Sequence, residues 1–333
     1  MKEFRIGEND EGQRQDKFLY KAKPELPKGM LCKCVRKKDI KRNGKRCDIA
    51  DRLEVGDVLT LYLPDRFFAA MPKPDAPLPF LEAPAVLELL YEDADVLLVN
   101  KPAGLVVHTD NEGTQDTLIH RIQHYLYDSG AYQPQQEQSF APALCNRLDR
   151  NTSGIVLAAK NAAALRILNE KIRTREICKQ YLCITTAPLP QQVALAVAYH
   201  QKQPAGNLVT IRDTPAEGFR EIRTQYRVLA SRNGLYLVEV TLITGRTHQI
   251  RAHLAHLGAP LLGDTKYGNA DANRRYGMQT QALCAWRLRF RWETPCGLDA
   301  LHDRVVTVSE IPFVNRYFPG QSLPNINKER ADR

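Results

Sequence analysis

The chain has 333 residues, more than one ordinary domain of about 150 residues and fewer than three would need, so its length predicts two domains. With 43% hydrophobic and 26% charged residues it can bury a sizeable core, which excludes a wholly disordered chain. The formal net charge of +9 indicates a polyanionic partner. No apolar run approaches the roughly 18 residues of a membrane span, and the first residues lack a secretory apolar region. We therefore expect a soluble, cytoplasmic protein that does not bind membranes.

The positive charge is concentrated near the N-terminus. Thirteen basic and three acidic residues lie between Arg14 and Arg46, a local net charge of +10, so the remainder of the chain sums to −1. Such a segment is typical of a nucleic-acid-binding module, although crowded and merely solvated lysines would give the same pattern. The residues predicted to contact nucleic acid are Arg36, Lys37, Lys38, Lys41 and Arg42.

Local patterns predict a small folded unit around this charge. Apolar residues at helical spacing predict helices over 14–21 and 28–38. Asn43-Gly44 predicts a tight turn, and VLTLYLP (58–64) predicts a strand that ends at its proline. Six prolines from Pro64 to Pro84 then predict an extended, semi-rigid linker over 65–84. The first domain is therefore expected to span 1–64.

A second domain is expected over 85–318, followed by a C-terminal tail over 319–333. Helical patterns cover 117–126, 161–174 and 247–258, and the last of these ends at Gly258. The predicted strands are LELLYED, VLLVN, GIVLAAK, KQYLCITT, RTQYRVLA, LYLVEVTLIT and LCAWRLRF. Because the strands come in hairpin-like pairs with helices placed irregularly between them, the pattern favours an α+β fold with a mostly antiparallel sheet over a doubly wound one.

Two polar segments of this domain could carry chemistry. In NRLDRNTSG (146–154), Asp149 lies between Arg147 and Arg150, whose charges would keep its carboxylate ionised as a nucleophile or acceptor. The alternative is a salt bridge in a loop. In TGRTHQIRAHLAH (244–256), His253 and His256 are three residues apart and share a helix face.

The remaining motifs argue against a bound metal or nucleotide. There is no HExxH, and the helix that carries the two histidines holds no carboxylate, so a metal site is not expected. Neither GxGxxG nor GxxxxGKS occurs, which argues against a dinucleotide or a nucleoside triphosphate. Since no two cysteines have zinc-knuckle spacing, we expect reduced, mostly buried thiols at Cys32, Cys34, Cys47, Cys145, Cys178, Cys183, Cys284 and Cys296.

Four segments in order resemble the motifs of the RluA-type RNA pseudouridine synthases. They are NKPAGLVVH (100–108), NRLDRNTSGIVLAAK (146–160), KQYLCIT (179–185) and TGRTHQIRAHLAHLGAPLLGDTKYG (244–268). The first domain more loosely resembles an S4 RNA-binding domain, through RQDKFL (14–19), a basic helix and GDVLTLYL (56–63). The resemblance implies an isomerase that breaks the N1 glycosidic bond of a uridine in RNA and rejoins the base through C5. It also implies that no cofactor is needed.

The resemblance assigns roles to individual positions. Asp149 matches the catalytic aspartate that attacks sugar or base, and Arg251 matches the arginine that pairs with it. Arg147 matches the residue that replaces the flipped base in the RNA stack, and neighbouring Arg150 is assigned with it to substrate binding.

Two apolar or aromatic positions would contact the base itself. Tyr181 matches the tyrosine beneath the uracil, whose hydroxyl could accept the C5 proton, and Ile250 would pack against the base edge. One position departs from the family, because Asn146 stands where His usually precedes RLD. An amide can donate a hydrogen bond much as a neutral imidazole does, so activity is still expected.

These expectations leave several functions open. Ribosomal RNA is the expected substrate and transfer RNA the alternative, with the protein acting as a monomer without an obligate protein partner. A catalytically silent RNA-binding protein and an RNA N-glycosylase are the rivals from other classes. The paired set of Arg147, Asp149, Tyr181 and Arg251 argues against the first, and release of free uracil would identify the second.

Overall fold

Two β-sheets organise the chain in the computed structural model, which describes residues 1–23, 26–64, 78–109, 113–203 and 208–324. The smaller sheet has four strands in the order β1-β4-β2-β3, and the larger has eleven. The strands of the smaller sheet are β1 (Lys2–Arg5), β2 (Ile40–Arg42), β3 (Lys45–Arg46) and β4 (Val58–Leu61).

The N-terminal unit has its own core. Helices α1 (Gln15–Ala22) and α2 (Lys28–Arg36) lie close to their predicted positions. Both helices turn apolar side chains inward, and Phe18 and Leu31 are fully buried. The predicted turn at Asn43-Gly44 joins β2 to β3, and both of its residues have positive φ, as a tight hairpin of that sequence requires.

The larger sheet runs β11-β10-β12-β13-β9-β14-β8-β6-β5, with β15 on β14 and β7 on β8. All its pairs are antiparallel except β14 with β8, which confirms the predicted α+β class. Its strands are β5 (Leu89–Glu92), β6 (Val96–Lys101), β7 (Ala143–Leu144), β8 (Ser153–Ala159), β9 (Ile177–Thr185), β10 (Val193–Lys202), β11 (Val209–Arg212), β12 (Arg220–Arg232), β13 (Leu235–Leu242), β14 (Leu283–Phe290) and β15 (Val305–Thr307).

Helices cover this sheet on both faces. The two longest of them begin at residues whose side chains accept a hydrogen bond from the first turn, Thr117 from the N–H of His120 and Asn161 from the N–H of Ala164. Because side chains alternate along the central strands, Leu98 and Leu97 of β6 belong to separate cores on opposite faces. The helices are α3 (Leu118–Asp128), α4 (Ala162–Arg173), α5 (Gln249–His256), α6 (Ala270–Tyr276) and α7 (Pro312–Tyr317).

One row of residues crosses three central strands and fixes the geometry near the functional loops. Gly154 of β8 pairs with Ala285 of β14, which pairs in turn with Tyr181 of β9. A Cβ on Gly154 would lie 2.2 Å from the carbonyl oxygen of Ala285, and the φ of Gly154 is +110°. Only glycine allows this close approach. The loop that leads into β8 thereby shares a cavity with Tyr181.

The two units are in contact. Ser139 donates a hydrogen bond to Asp10 at 2.5 Å, and Asn9 donates one to Glu137 at 2.7 Å. The guanidinium of Arg166 in α4 donates to the backbone carbonyl of Glu11. The basic N-terminal unit is therefore held against the larger domain by polar contacts in addition to its covalent connection.

The segment expected to be a linker is only partly described, because residues 65–77 lie outside the described part of the chain. In the remainder, Pro79–Glu82 forms a 3₁₀ turn, and Phe80 is buried with its ring edge-on to Tyr127 of α3. The extended conformation expected for 65–84 therefore does not hold at this turn, where an aromatic side chain has a hydrophobic surface to cover. The predicted tail is described only to residue 324.

Among the helices of the described residues, none is long and apolar enough to cross a bilayer.

Candidate active site

A cavity of about 450 Å³ opens where three segments of the larger domain meet. The loop before β8 contributes Arg147 and Asp149, β9 contributes Tyr181, and the N-terminal end of α5 contributes Ile250 and Arg251. These are five of the six residues assigned to the site from the sequence. The structure therefore brings together side chains up to about a hundred positions apart in the chain.

The cavity wall contains a line of three charged side chains. Nη1 of Arg251 donates to Oδ2 of Asp149 at 2.8 Å. On its other side, Arg251 binds both carboxylate oxygens of Asp264, from Nε at 2.7 Å and from Nη2 at 2.9 Å. The side chain of Asp264 is fully buried, whereas that of Asp149 is 30% exposed. Asp264 therefore fixes Arg251 on its buried side. The remaining Nη1–H group binds Asp149, a carboxylate that substrate can reach.

Electrostatics keep Arg251 and Asp264 charged. Burial by itself would lower the pKa of Arg251, but hydrogen bonds and charges from Asp264 and Asp149 raise it above its usual range. Burial would raise the pKa of Asp264, yet Arg251 and the backbone N–H groups of Lys266 and Tyr267 hold it below its ordinary value. The arginine therefore stays protonated beside Asp149 at any pH at which the protein is folded.

Asp264 is a residue that the sequence analysis did not single out. It lies within the segment GDTKYG that carries part of the resemblance, and an Asp in a Gly-flanked turn was the available signal. Its Oδ1 accepts from the N–H groups of Lys266 and Tyr267 at 2.8 and 3.1 Å, as expected for an aspartate that organises a tight turn. Its partnership with Arg251 depends on tertiary folding and has no local pattern.

Tyr181 and Ile250 form the apolar part of the cavity. They are 7% and 4% exposed, and both belong to the core on this face of the sheet. Burial, together with the nearby charge of Asp149, raises the pKa of Tyr181 well above its usual range. The phenol therefore keeps its proton at neutral pH, which makes it a poor base unless it gives that proton away.

The two arginines beside Asp149 occupy different positions. Arg147 is exposed and lines the cavity, so its guanidinium is available to a polyanion. Arg150 is also exposed, but it lies beyond the cavity wall, and its backbone carbonyl accepts from Nζ of Lys101 at 2.9 Å and from the N–H of Gly104.

Lys101 belongs to the motif NKPAGLVVH, which by itself predicted no role for its side chain. Its ammonium is fully buried and donates to three backbone carbonyls, those of Pro102, Leu105 and Arg150, at 2.7–2.9 Å. Burial lowers the pKa of Lys101 to about 7, and Asp149 opposes that shift. The contact with Arg150 ties the segment that follows Asp149 to the end of β6.

Asn146 anchors the other end of the same loop. Its amide oxygen accepts from the N–H of Leu157 at 2.8 Å, and its Nδ2 donates to the carbonyl of Ile155 at 3.2 Å. Both partners belong to β8. Asn146 therefore serves as an extra rung of the sheet at the cavity edge, a bond pattern that its amide can satisfy with both ends.

The basic N-terminal residues are not equivalent. Arg36, Lys37 and Lys38 are exposed at the end of α2, whereas Lys41 lies over the ring of Tyr62 at 5.1 Å. Arg42 is the exception, because it pairs with Asp57 at 2.5 Å and donates to the carbonyl of Arg52. Its charge is already used within the N-terminal unit.

The histidines and cysteines do not assemble into a cluster. His253 is buried and hydrogen-bonds to Thr224, while His256 pairs with Asp213. All eight cysteines are free thiols, three of them buried. Within the described ranges, no group of three or more His, Cys, Asp or Glu side chains is arranged to hold a metal ion.

Known proteins resemble the chain over most of its length. The family described as RNA pseudouridylate synthase matches residues 95–256. Ribosomal large subunit pseudouridine synthase C of Haemophilus influenzae is 31% identical over 296 residues, which cover 87% of each chain. The protein of the same name from Rickettsia conorii is 33% identical over 267 residues, covering 78% of this chain and 83% of its own. The chain belongs to the RluA-type RNA pseudouridine synthase family.

Similarity to a solved structure extends to the fold. The human protein RNA Pseudouridylate Synthase Domain Containing 1 superposes with a TM-score of 0.56 at 22% identity, covering 74% of this chain and 94% of that one. At this identity the likeness concerns the fold alone and assigns no role to individual side chains.

Proposed function

We propose that this protein converts uridines of ribosomal RNA to pseudouridine, with Asp149 as the nucleophile. The observation that carries the proposal is the cavity in which the carboxylate of Asp149, bound on Oδ2 by Arg251, lies beside Tyr181 and Ile250. Support for the ribosomal substrate comes from the names of the relatives, which are synthases of the ribosomal large subunit.

The conversion of uridine to pseudouridine calls for a nucleophile and not for a redox cofactor. The N1–C1′ bond breaks, a C5–C1′ bond forms, C5 loses a proton and N1 gains one, so nothing is oxidised or reduced. A carboxylate that attacks the sugar or the base can divide this exchange into two easier steps. Since Arg251 stays charged, it can stabilise the carboxylate anion of Asp149 before attack and again when that anion departs.

The other cavity residues would hold the base while it turns. A uridine must leave the RNA stack to reach Asp149, and exposed Arg147 is positioned to take its place. Tyr181 offers a flat surface and Ile250 an edge, so a freed uracil could rotate without escaping. Because Tyr181 keeps its own proton, we assign it mainly to stacking, and it can accept the C5 proton only by releasing its own.

We further propose that residues 1–64 form an S4-like RNA-binding domain. Arg36, Lys37 and Lys38 form an exposed cationic group on a separately packed unit, and phosphate contacts supply most of the affinity in such modules. Contacts such as Ser139 with Asp10 would hold this group in a fixed position relative to the cavity. The proposal includes action as a monomer, in the cytoplasm where ribosomes are assembled.

Release of tritium from 5-tritiated uridine tests the activity. The protein should release tritium from a prefolded large-subunit ribosomal RNA fragment, and digestion of that RNA should yield pseudouridine. Transfer RNA as the better substrate would replace the ribosomal assignment. Free uracil as the product would indicate an N-glycosylase, and binding without either product would indicate a silent RNA-binding protein.

A further inference from the structure

We infer that His248, held in place by Tyr267, is a positioning residue that orients the carboxylate of Asp149 for attack. The inference rests on the proposed role of Asp149 as nucleophile. Neither His248 nor Tyr267 was singled out from the sequence, and the proposed mechanism above does not use them. Both lie on the side of Asp149 next to Arg251.

The side chain of His248 lies between the side chains of Tyr267 and Asp149. Its Nδ1 lies 2.9 Å from the hydroxyl of Tyr267, and the two rings meet edge-to-face with centroids 5.7 Å apart. Its Nε2 faces Oδ2 of Asp149 at 3.9 Å. The imidazole thus bridges the Tyr267 hydroxyl and the proposed nucleophile, and only 8% of the residue is exposed.

The neighbours of His248 favour one position for its ring proton. The hydroxyl of Tyr267 lies 2.9 Å from Nδ1 and can donate its proton to that nitrogen. That leaves the ring proton on Nε2, directed at the carboxylate of Asp149. The opposite tautomer would place a lone pair against an anion.

The backbone adds to this control. His248 has φ +51°, in the left-handed region, immediately before the first residue of α5. This conformation is uncommon for residues other than glycine and sends the side chain back toward the loop of Asp149. Arg251, one turn further along α5, approaches the same carboxylate oxygen. The start of α5 therefore directs two donors at Oδ2, Arg251 at hydrogen-bond distance and His248 at 3.9 Å.

This arrangement leaves one oxygen of Asp149 for the substrate. Among the described residues, the carboxylate of Asp149 accepts one hydrogen bond, from Arg251 on Oδ2, and none reaches Oδ1. With Arg251 bonded to Oδ2 and Nε2 of His248 directed at it, the carboxylate cannot turn about its own axis without losing a favourable contact. Oδ1 is then the attacking atom.

The charge state of His248 suits this task. Burial lowers the pKa of His248, so the ring is neutral near pH 7 and donates without adding a second cation beside Arg251. The charged or titratable groups that face the ring are Asp149, Arg251, Asp264, Lys266 and Tyr267. At 3.9 Å the contact with Asp149 is longer than a hydrogen bond, and catalytic contacts of this kind tighten when substrate binds. The effect should therefore fall on the rate of reaction and spare RNA affinity.

Paired substitutions at His248 test the inference without changing backbone strain. His248→Gly and His248→Asn both tolerate a left-handed backbone, but only asparagine retains an N–H donor. With enzyme in excess over 5-tritiated RNA, His248→Gly should lower the single-turnover rate about 10- to 100-fold while the Kd for RNA stays unchanged. His248→Asn should recover part of that loss, and added imidazole should partly restore the glycine variant.

Tyr267→Phe gives a second measurement that does not depend on how the glycine variant folds. It removes the hydroxyl that fixes the tautomer and should slow the single-turnover rate, by less than His248→Gly does, again without weakening RNA binding. A folded His248→Gly protein with the wild-type rate, or one whose loss lies entirely in RNA affinity and resists imidazole, overturns the inference.

Wild-type protein and Asp149→Asn, measured in parallel, separate the two proposals. If the wild type releases tritium and Asp149→Asn does not, the proposed function stands, and an unchanged rate for His248→Gly contradicts the positioning role alone. If Asp149→Asn retains the wild-type rate, the nucleophile assignment fails and the role of His248 fails with it.

Discussion

Nη1 of Arg251 lies 2.8 Å from Oδ2 of Asp149, although 102 positions separate the two residues in the chain. Arg251 binds Asp264 with its other N–H groups, so the pair at the cavity is the outer half of a three-residue ionic line. Because the fully buried carboxylate of Asp264 fixes Arg251, the guanidinium stays in place even when the accessible carboxylate of Asp149 moves. This arrangement suits the nucleophile role that we propose for Asp149.

Asp149→Asn should abolish turnover while the Kd for RNA changes by no more than about tenfold, equivalent to about 1.4 kcal/mol. The amide keeps the shape of the carboxylate but has no charge with which to attack. Tritium release, run beside a thermal melt of the same preparation, checks this. A simple loop salt bridge would give the reverse result, lower stability with activity retained in the folded fraction.

Arg251→Lys should be less severe for catalysis than Asp149→Asn. A cation remains in place, but an ammonium cannot bind both oxygens of Asp264 and also reach Asp149. Since Asp264 is fully buried, incomplete pairing should reduce the free energy of unfolding, by at most about 3–5 kcal/mol. Denaturant melts and single-turnover rates measured together distinguish the two effects. Full activity and unchanged stability would show that bidentate binding by Arg251 is dispensable.

Neutralising the exposed cations of the N-terminal domain should weaken RNA binding and flatten its salt dependence. Arg36→Gln combined with Lys37→Gln removes two positive charges. The negative slope of the logarithm of the binding constant against the logarithm of salt concentration should therefore decrease in magnitude by about 1.4–1.8. The matched control is Arg173→Gln with Arg274→Gln, two exposed arginines of the larger domain. An equal change in both double variants would mean that the N-terminal cations have no special role in binding.

The buried imidazole of His253 should make the protein sensitive to acid. Burial lowers the pKa of His253 to about 4, from 6.5 in the unfolded chain. Between those values the unfolded state binds a proton that the folded state does not, so stability falls as the pH drops. The loss between pH 7.5 and pH 5 should be about 2 kcal/mol from this residue.

His253→Phe tests that linkage, because phenylalanine keeps a ring of similar size and does not titrate. It also removes the hydrogen bond to Thr224, so the variant should be less stable at pH 7.5. Urea melts at both pH values should show a smaller decrease toward pH 5 than the wild type shows. An identical decrease in the two proteins would mean that His253 does not bind the proton on unfolding.

Sequence patterns located the elements that carry a strong local signal. Helix α4 is bounded by Asn161 and Thr174 as its apolar spacing predicts, and the antiparallel hairpin of β12 and β13 follows alternating apolar residues. Strand β10 was missed because apolar residues occur on both of its faces, including the exposed Val193 and Leu195. Its sequence therefore lacks the apolar-polar alternation of a half-buried strand.

Local sequence patterns are limited in the same way for the candidate active site. Asp149, Arg251 and Tyr181 could be predicted to lie together only through a resemblance to a family, since no local periodicity connects them. Asp264 and His248 were missed even so, because their importance comes from what folding places next to them. Arg42 was predicted to contact RNA from charge alone, and its pairing with Asp57 depends on the register of β2 against β4.

Gly154→Ala should damage stability and activity together. Its Cβ would lie 2.2 Å from the carbonyl oxygen and 2.6 Å from the nitrogen of Ala285, both backbone atoms of a central strand. Relief requires β8 and β14 to separate, and β14 also pairs with Tyr181. The added crowding and the unfavourable φ should together cost at least about 2 kcal/mol. Any protein that still folds should have Asp149 displaced from Arg251 and a reduced single-turnover rate.

Gly258→Ala is the matched control, because Gly258 also has a positive φ, +82°, but nothing lies within 4 Å of the position of its Cβ. That substitution should lower the free energy of unfolding by only about 1–2 kcal/mol, the cost of a left-handed backbone conformation for alanine, and leave tritium release unchanged. The difference in stability loss between the two variants gives the cost of crowding between β8 and β14, separated from the cost of backbone strain. If Gly154→Ala were no more destabilising than Gly258→Ala and equally active, the contact between Gly154 and Ala285 would not be what positions Asp149 beside Tyr181.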